Sequence, residues 1–327
     1  MFTINVGVET EASLSVTRHG HSLSVNEQLE ELARLFNKIG LSAYASPVDH
    51  EQDYTKWAIT LDTSITIAYE LDAGPRPAPI EIKSPILAVD DTAYQDKLRA
   101  MWQIIAPFKS LNIRYWKMCS THIHFSIAYI PELPLQLAKK LAFCVVYFER
   151  AIDDLMPAMT DNADTRRPEG WKNFYRFARR NKVRPWRNGR VPLLCLKDCW
   201  EAIRSAMHLE DLNRMMCYDE DDYRRRVGCE HKNFKWNFKG LNYKTIEFRQ
   251  MPPSRSAQET LDWITFTAGF LEAAVSVNID QLNSAFWRTD WTQLSRFVPC
   301  DAGVWTRIIA ARDQIERELA ALPSHED

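Results

Sequence analysis

"VGVETE" (residues 6–11) is the stretch on which the reading of the fold turns. Successive side chains of a strand point to opposite faces, so Glu9 and Glu11 share one face while Val8 and Thr10 take the other. The wider run 2–11, "FTINVGVETE", keeps this period of two and reads as a strand. Two acids on one face of an early strand mean either a solvated edge or a binding site.

Three later segments share this pattern. In "STHIHFS" (120–126), His122 and His124 share a face opposite Ile123 and Phe125. In "YKTIEFRQ" (243–250), Glu247 and Arg249 oppose Ile246 and Phe248, and in "PIEIKSP" (79–85) Glu81 lies between Ile80 and Ile82. Antiparallel sheets commonly have one wet face, which is the plain reading of any single pair. A merely wet face is usually rich in Lys, Thr, Ser and Gln, whereas these segments together offer Glu, His and Arg. Carboxylates and imidazoles ligate divalent ions, and Arg is a planar phosphate clamp. Mg²⁺ or Mn²⁺ held by carboxylates keeps positions for phosphate oxygens, and a neighbouring Arg offsets charge on a transferring phosphoryl group. A nucleotide-using, metal-dependent enzyme is therefore expected.

Composition narrows the alternatives. Glycine is scarce, at 10 in 327 residues, and neither GxGxxG nor GxxxxGK[ST] occurs, so the phosphate site is not a glycine loop. A net charge of −2 gives no global field for nucleic acid or an anionic membrane. Basic residues cluster locally in "RFARRNKVRPWRNGR" (176–190), read as a solvated helix face and loop, and in "YRRR" (223–226), which the preceding "YDEDD" offsets. The seven cysteines include no CxxC; Cys195 and Cys199 share a helix-face spacing without a second pair to complete a zinc site. Reduced thiols in a cytoplasmic protein are expected. The first residues lack the basic and apolar regions of a secretory leader, and no run approaches 18 apolar residues.

The coarse pattern is α+β with a mainly antiparallel sheet. Helices are expected at 25–39, stopped by Gly40, and at 91–106, 135–155, 256–279 and 301–321. Strands are expected within 57–70 and at 80–87, 118–130, 233–238 and 244–250, with loops at 72–79 and 157–170 and a helical, basic stretch over 171–227.

The set "GVETE", "ELDAGPRPAPIEIKSP", "CSTHIHFS" and "TIEFRQMPPS" resembles the carboxylate–amine ligases of the glutamine synthetase superfamily, and is closest to their amidoligase branch, which is frequent in fungi. That branch shows G-x-E-x-E, then a Trp-led strand with Asp and Ser (here "WAITLDTS", 57–64), Glu before Ser-Pro, H-x-H, and an E-F-R strand after an Asn-bearing one ("KWNFKGLNYKTIEFR", 235–249). The order covers about residues 5–270.

The resemblance implies a curved antiparallel sheet of glutamine synthetase catalytic-domain type, with ATP and metals on its concave face and helices outside. It implies a single catalytic domain over 1–327, with a helical insertion over about 135–230 and C-terminal helices over about 256–321. Glu9, Glu11, Glu81, His122 and Glu247 would hold Mg²⁺ or Mn²⁺, His124 and Asn237 would face nucleotide, and Arg249 would hold phosphates or an acyl phosphate. Glu70 is a looser match to a further metal-side glutamate. The ring-completing β-grasp domain of glutamine synthetase has no counterpart before Glu9, so glutamine formation from ammonia does not carry over. The H-x-H segment also lacks the glycine common before its first His.

The expected reaction joins a small-molecule or peptide carboxylate to an amine through an acyl phosphate, with Glu11 and Arg249 in the catalytic set. Asp62 and Ser64 serve either substrate binding or a turn. Arg179, Arg180 and Arg184 are candidates for gripping an acid substrate. Trp57 is assigned to the core, and His19 and His21 in "TRHGHS" (17–22) to solvent. A guanidino-kinase type phosphotransferase and a catalytically idle ligand binder of the same fold are the alternatives.

Overall fold

The protein is described here from a computed structural model covering residues 3–47, 53–62, 65, 77–108, 119–128, 130, 133–157, 196–217, 234–279, 282 and 290–321. Eight strands form one sheet: β1 (Ile4–Leu14), β4 (Ala43–Ser46), β5 (Trp57–Leu61), β6 (Ala78–Lys83), β7 (Leu87–Ala88), β8 (Thr121–Ile127), β9 (Trp236–Asn237) and β10 (Ile246–Phe248). Their order is β4-β5-β6-β1-β8-β10-β9, with β7 paired to β1 beside β6. Only β4 and β5 run parallel; the other pairs are antiparallel. The mixed α+β class with a mainly antiparallel sheet is thus as expected.

Alternation sorts the sheet into two faces. Ile4, Val6 and Val8 of β1, Ile80 and Ile82 of β6, Ile123 and Phe125 of β8, and Ile246 and Phe248 of β10 are buried on the helix-covered side. Helix α1 (Val25–Lys38) packs on β4, β5 and β6 through Leu29, Leu32 and Phe36. A capping box fixes its start: the Ser24 side chain accepts from Glu27 N, and the Glu27 carboxylate accepts from Ser24 N at 2.8 Å. Gly40, at φ 85°, ends the chain's turn out of it. Trp57 meets Phe36 edge-on at 5.7 Å between ring centroids, in the core as read.

Helix α2 (Ala93–Ile105) is tied to α6 (Ala257–Ser276) by a hydrogen bond of 3.1 Å from Trp102 Nε1 to Thr260 Oγ1. The remaining described helices are α3 (Leu135–Asp153), α4 (Leu196–Arg204), α5 (Leu209–Met216), α7 (Trp291–Phe297) and α8 (Ala302–Ala320). One continuous apolar cluster runs from Ile4 to Ile308. Under β9 and β10, Trp236 packs on Phe248 and Phe270 at 4.7 and 5.0 Å and meets Phe125 edge-on at 5.9 Å. Trp236 and Phe248 thus anchor their strands inward, and the residues beside them in sequence, Asn237 and Glu247, face the other way.

Several elements differ from expectation. Strand β4 carries no alternation to be read from sequence, and helix α7, capped by the Asp290 side chain accepting from Gln293 N at 3.0 Å, lies outside the expected set. The strands at 233–238 and 244–250 shorten to two and three residues because the chain between them folds into a 3₁₀ turn, Phe238–Tyr243. The "TRHGHS" loop is a hairpin, β2 (Thr17–Arg18) with β3 (His21–Ser22), whose tip places His19 and Gly20 at φ 51° and 78°. His19 and His21 are exposed there, as expected. The loop 157–170 and the basic stretch 176–190 lie almost wholly or wholly outside the described residues.

Candidate active site

The sheet face away from α1 and α6 is where the polar pairs meet. Antiparallel register sets side chains of opposed residues on one face, so the pairings define rows across the sheet. Lys83 and His122 both lie opposite Glu9, and Ala58 lies beyond Lys83. In the next row Thr60 lies opposite Glu81 and Glu81 opposite Glu11, while Glu11 N donates to Ser120 O at 3.0 Å. On the other side of the Glu9 row, Gly7 lies opposite His124, His124 opposite Glu247, and Glu247 opposite Asn237. Residues scattered over 240 positions of sequence thus converge on Glu9.

The contacts are close. His122 Nδ1 is 3.2 Å from Glu9 Oε2 and 3.4 Å from Glu247 Oε1, and His124 Nε2 is 3.2 Å from Glu9 Oε1 and 3.6 Å from Glu247 Oε1. Arg249 Nη1 donates to Glu247 Oε1, and Asn237 Nδ2 donates to Glu247 Oε2 at 2.7 Å. Glu247 is therefore held at both oxygens while its side chain is only 4% exposed.

Among the described residues, two groups of three side chains bring their ligating atoms within 4.8 Å of one another: Glu9, His124 and Glu247, and Glu9, Glu81 and His122. Glu9 belongs to both. His124 Nε2 is buried and makes no aligned hydrogen bond despite its two carboxylate neighbours. A ring nitrogen placed so, aimed between two carboxylates, is what a divalent ion needs of the first group.

Glu11 is placed differently. Its Oε2 accepts from Ser120 N and from Ser120 Oγ, each at 2.7 Å, and Ser120 Oγ is 2.6 Å from His122 Nε2. Ser120 Oγ thus bridges Glu11 Oε2 and His122 Nε2, while His122 Nδ1 faces Glu9. The Glu11 carboxylate thus fixes the ring of His122 from behind.

Charge accumulates unevenly here. Burial alone would raise Glu9, but the charge on His124 and the hydrogen bond with His122 hold it well below the usual carboxylate range. Burial likewise opposes ionisation of Glu247, and Arg249 and the histidines outweigh it. Burial works against a proton on His124, yet Glu9 and Glu247 push it up to about 9. Burial and the neighbouring Glu9 push Glu81 up to about 8 against the pull of Lys83.

A cavity of about 700 Å³ opens beside this cluster. Glu9, His124 and Glu247 stand at its head, Asn5, Gly7 and Ser126 form its floor, and the exposed Tyr54 and Ile86 flank it. Lys239 and Lys244 line the side next to Asn237.

The family model described as "putative amidoligase enzyme" matches residues 3–173. The chain belongs to that family. Membership marks this amidoligase as an amide-forming ligase. A comparison with curated proteins gives no match. The matched stretch ends before Asn237, Glu247 and Arg249, which the sheet brings to the amidoligase site through β9 and β10.

Of the residues expected in the site, Glu9, Glu11, Glu81, His122, His124, Asn237 and Glu247 share this face, and Arg249 reaches it through Glu247. Asp62 follows β5 on the same side, its N–H donating to Pro79 O at 3.0 Å. Ser64, Glu70, Arg179, Arg180 and Arg184 lie outside the described residues. Sequence reasoning missed Ser120 and Lys83. Both follow the rule that found the others, since Ser120 precedes His122 by two and Lys83 follows Glu81 by two.

Proposed function

We propose that the protein is an ATP- and Mg²⁺- or Mn²⁺-dependent carboxylate–amine ligase that works through an acyl phosphate. The observation that supports this reading most is the convergence of Glu9, His124 and Glu247 at a ligand-sized cavity, with Arg249 hydrogen-bonded to Glu247 behind it. Glu9, His124 and Glu247 would hold a divalent ion, Glu9, Glu81 and His122 offer a second set, and a bound ion supplies charge stabilisation and alignment to the transferring phosphoryl group.

The substrate carboxylate oxygen attacks the γ-phosphorus, and ADP leaves with the bridging oxygen. The amine nitrogen then attacks the acyl carbon, the C–O bond to phosphate breaks, and one amine proton passes to a base. Phosphoryl transfer depends on position and charge more than on covalent help, so Arg249, fixed against Glu247, is assigned to the phosphoryl oxygens. Glu11 acts behind His122, through Ser120. The trough beside His124 suits the nucleotide, with Asn237 on its flank.

The remaining expectations belong to the same proposal: one catalytic domain, a sheet of glutamine synthetase type, and a cytoplasmic setting. Cys144, Cys217 and Cys300 are free thiols, which supports a reducing compartment. Among the described residues no helix is long and apolar enough to cross a membrane.

Phosphate release from ATP and Mg²⁺ with a mixed acid–amine panel, followed by mass spectrometry, tests the reading. Release that needs both acid and amine, with a product lighter by one water than their sum, is expected. A phosphorylated acceptor without free phosphate would instead make the protein a kinase, and tight binding without turnover a ligand binder.

Metal binding carries a pH signature. His124 holds its proton up to about pH 9 in the ion-free site, and a ligating imidazole must lose it. Affinity for Mn²⁺ should therefore rise about tenfold per pH unit between about 6 and 8 and level off near 9. Calorimetry at pH 7 in buffers of different ionisation enthalpy should report release of about one proton per ion; a pH-independent affinity would remove His124 from the ligand set.

A further inference from the structure

We propose that Lys83 occupies, as a built-in cation, the second of the two candidate ion positions, so that the nucleotide-free protein binds one divalent ion rather than two. This rests on the metal reading given above. Lys83 Nζ lies 3.1 Å from Glu81 Oε2, and its side chain is only 8% exposed. In its row of the sheet it stands between Ala58, which offers a methyl group, and Glu9, the carboxylate common to both groups. An ammonium buried there supplies positive charge where a second ion would have to sit.

The two groups differ in how their ligating atoms are engaged. In the Glu9–Glu81–His122 group, Glu81 is paired with Lys83, and His122 Nδ1 is hydrogen-bonded to Glu9 Oε2 at 3.2 Å. His122 Nε2 is taken by Ser120 at 2.6 Å. In the Glu9–His124–Glu247 group, the His124 nitrogen has no aligned hydrogen bond and points between the two carboxylates. The Glu9–His124–Glu247 group thus keeps one ring nitrogen without an aligned hydrogen bond, although Arg249 and Asn237 hold Glu247, whereas each residue of the Glu9–Glu81–His122 group has such a partner.

Mn²⁺ titration followed by electron paramagnetic resonance, with no nucleotide present, counts the ions directly. The wild type should bind one ion, Lys83→Met two, and Lys83→Arg, which keeps the charge, one. Glu81→Gln should leave the wild-type count unchanged and covers the case in which Lys83→Met does not fold. Two ions in the wild type, one in a folded Lys83→Met, or a lost ion in Glu81→Gln would each overturn the proposal. A count of zero in the wild type would overturn it together with the metal part of the proposed function. A count of two would overturn this inference alone, and the acid- and amine-dependent phosphate release would still stand.

Discussion

Glu9→Gln should abolish turnover and weaken Mn²⁺ binding at least about 100-fold. The substitution keeps the size of the side chain and removes its charge, so the β1 pairing with β6 and β8 stays. Glu9 is the residue common to both candidate ligand groups, so its loss strikes both. Its loss also removes a partner of His122 and His124 at the same time. The proton on His124 should be held less firmly, because Glu9 is the first of the two carboxylates that raise it. Spin-resonance titration and steady-state phosphate release measure the two effects, with circular dichroism as the check on folding. Retention of more than about a tenth of the wild-type rate would show that Glu9 is not at the reacting centre.

The second large effect is expected at Arg249. Arg249→Ala should lower kcat about a thousandfold, the scale of a cation acting on transferring phosphate. It should also cost stability, about 3 kcal/mol, because Glu247 is left buried beside Glu9 without its closest cation. Arg249→Lys separates the two effects. The ammonium restores charge next to Glu247, so thermal stability should recover, whereas the planar fork that grips two oxygens is gone, so kcat should not. Equal recovery of both would make Arg249 a structural partner of Glu247 rather than a group that touches phosphate.

The strands that build the site could be read because each alternates strictly between a ligand-type and an apolar residue. In β1, Val8 and Thr10 are buried on one side of Glu9, and in β8 Ile123 and Phe125 are buried opposite His122 and His124. The strands' partners could not be read this way. Nothing local in "EIKSP" or "STHIH" states that Lys83 and His122 both stand opposite Glu9; that follows from pairings over 74 and 113 positions. Ser120 and Lys83 were overlooked because a hydroxyl or an ammonium is common on any wet strand face. Their meaning lies in burial, which sequence does not print. Strand β4 escaped because "AYAS" is half-buried throughout and pairs in parallel, leaving no alternation to detect. The helices α1, α2, α3 and α6 were legible from apolar spacing, helped by the Ser24 and Ser256 caps at two of them.

The bare floor of the cavity has one further consequence. A methyl group built onto Gly7 would meet only the Cβ of His124, at 3.7 Å, an ordinary contact. The backbone there is not in the left-handed region, so the chain itself does not require glycine. What the missing side chain leaves is headroom directly above the strand, two residues from Glu9. Position 7 is thus a dial for the size of the molecule admitted. It can be turned by one carbon at a time, from alanine upward, with every charged group of the face left in place.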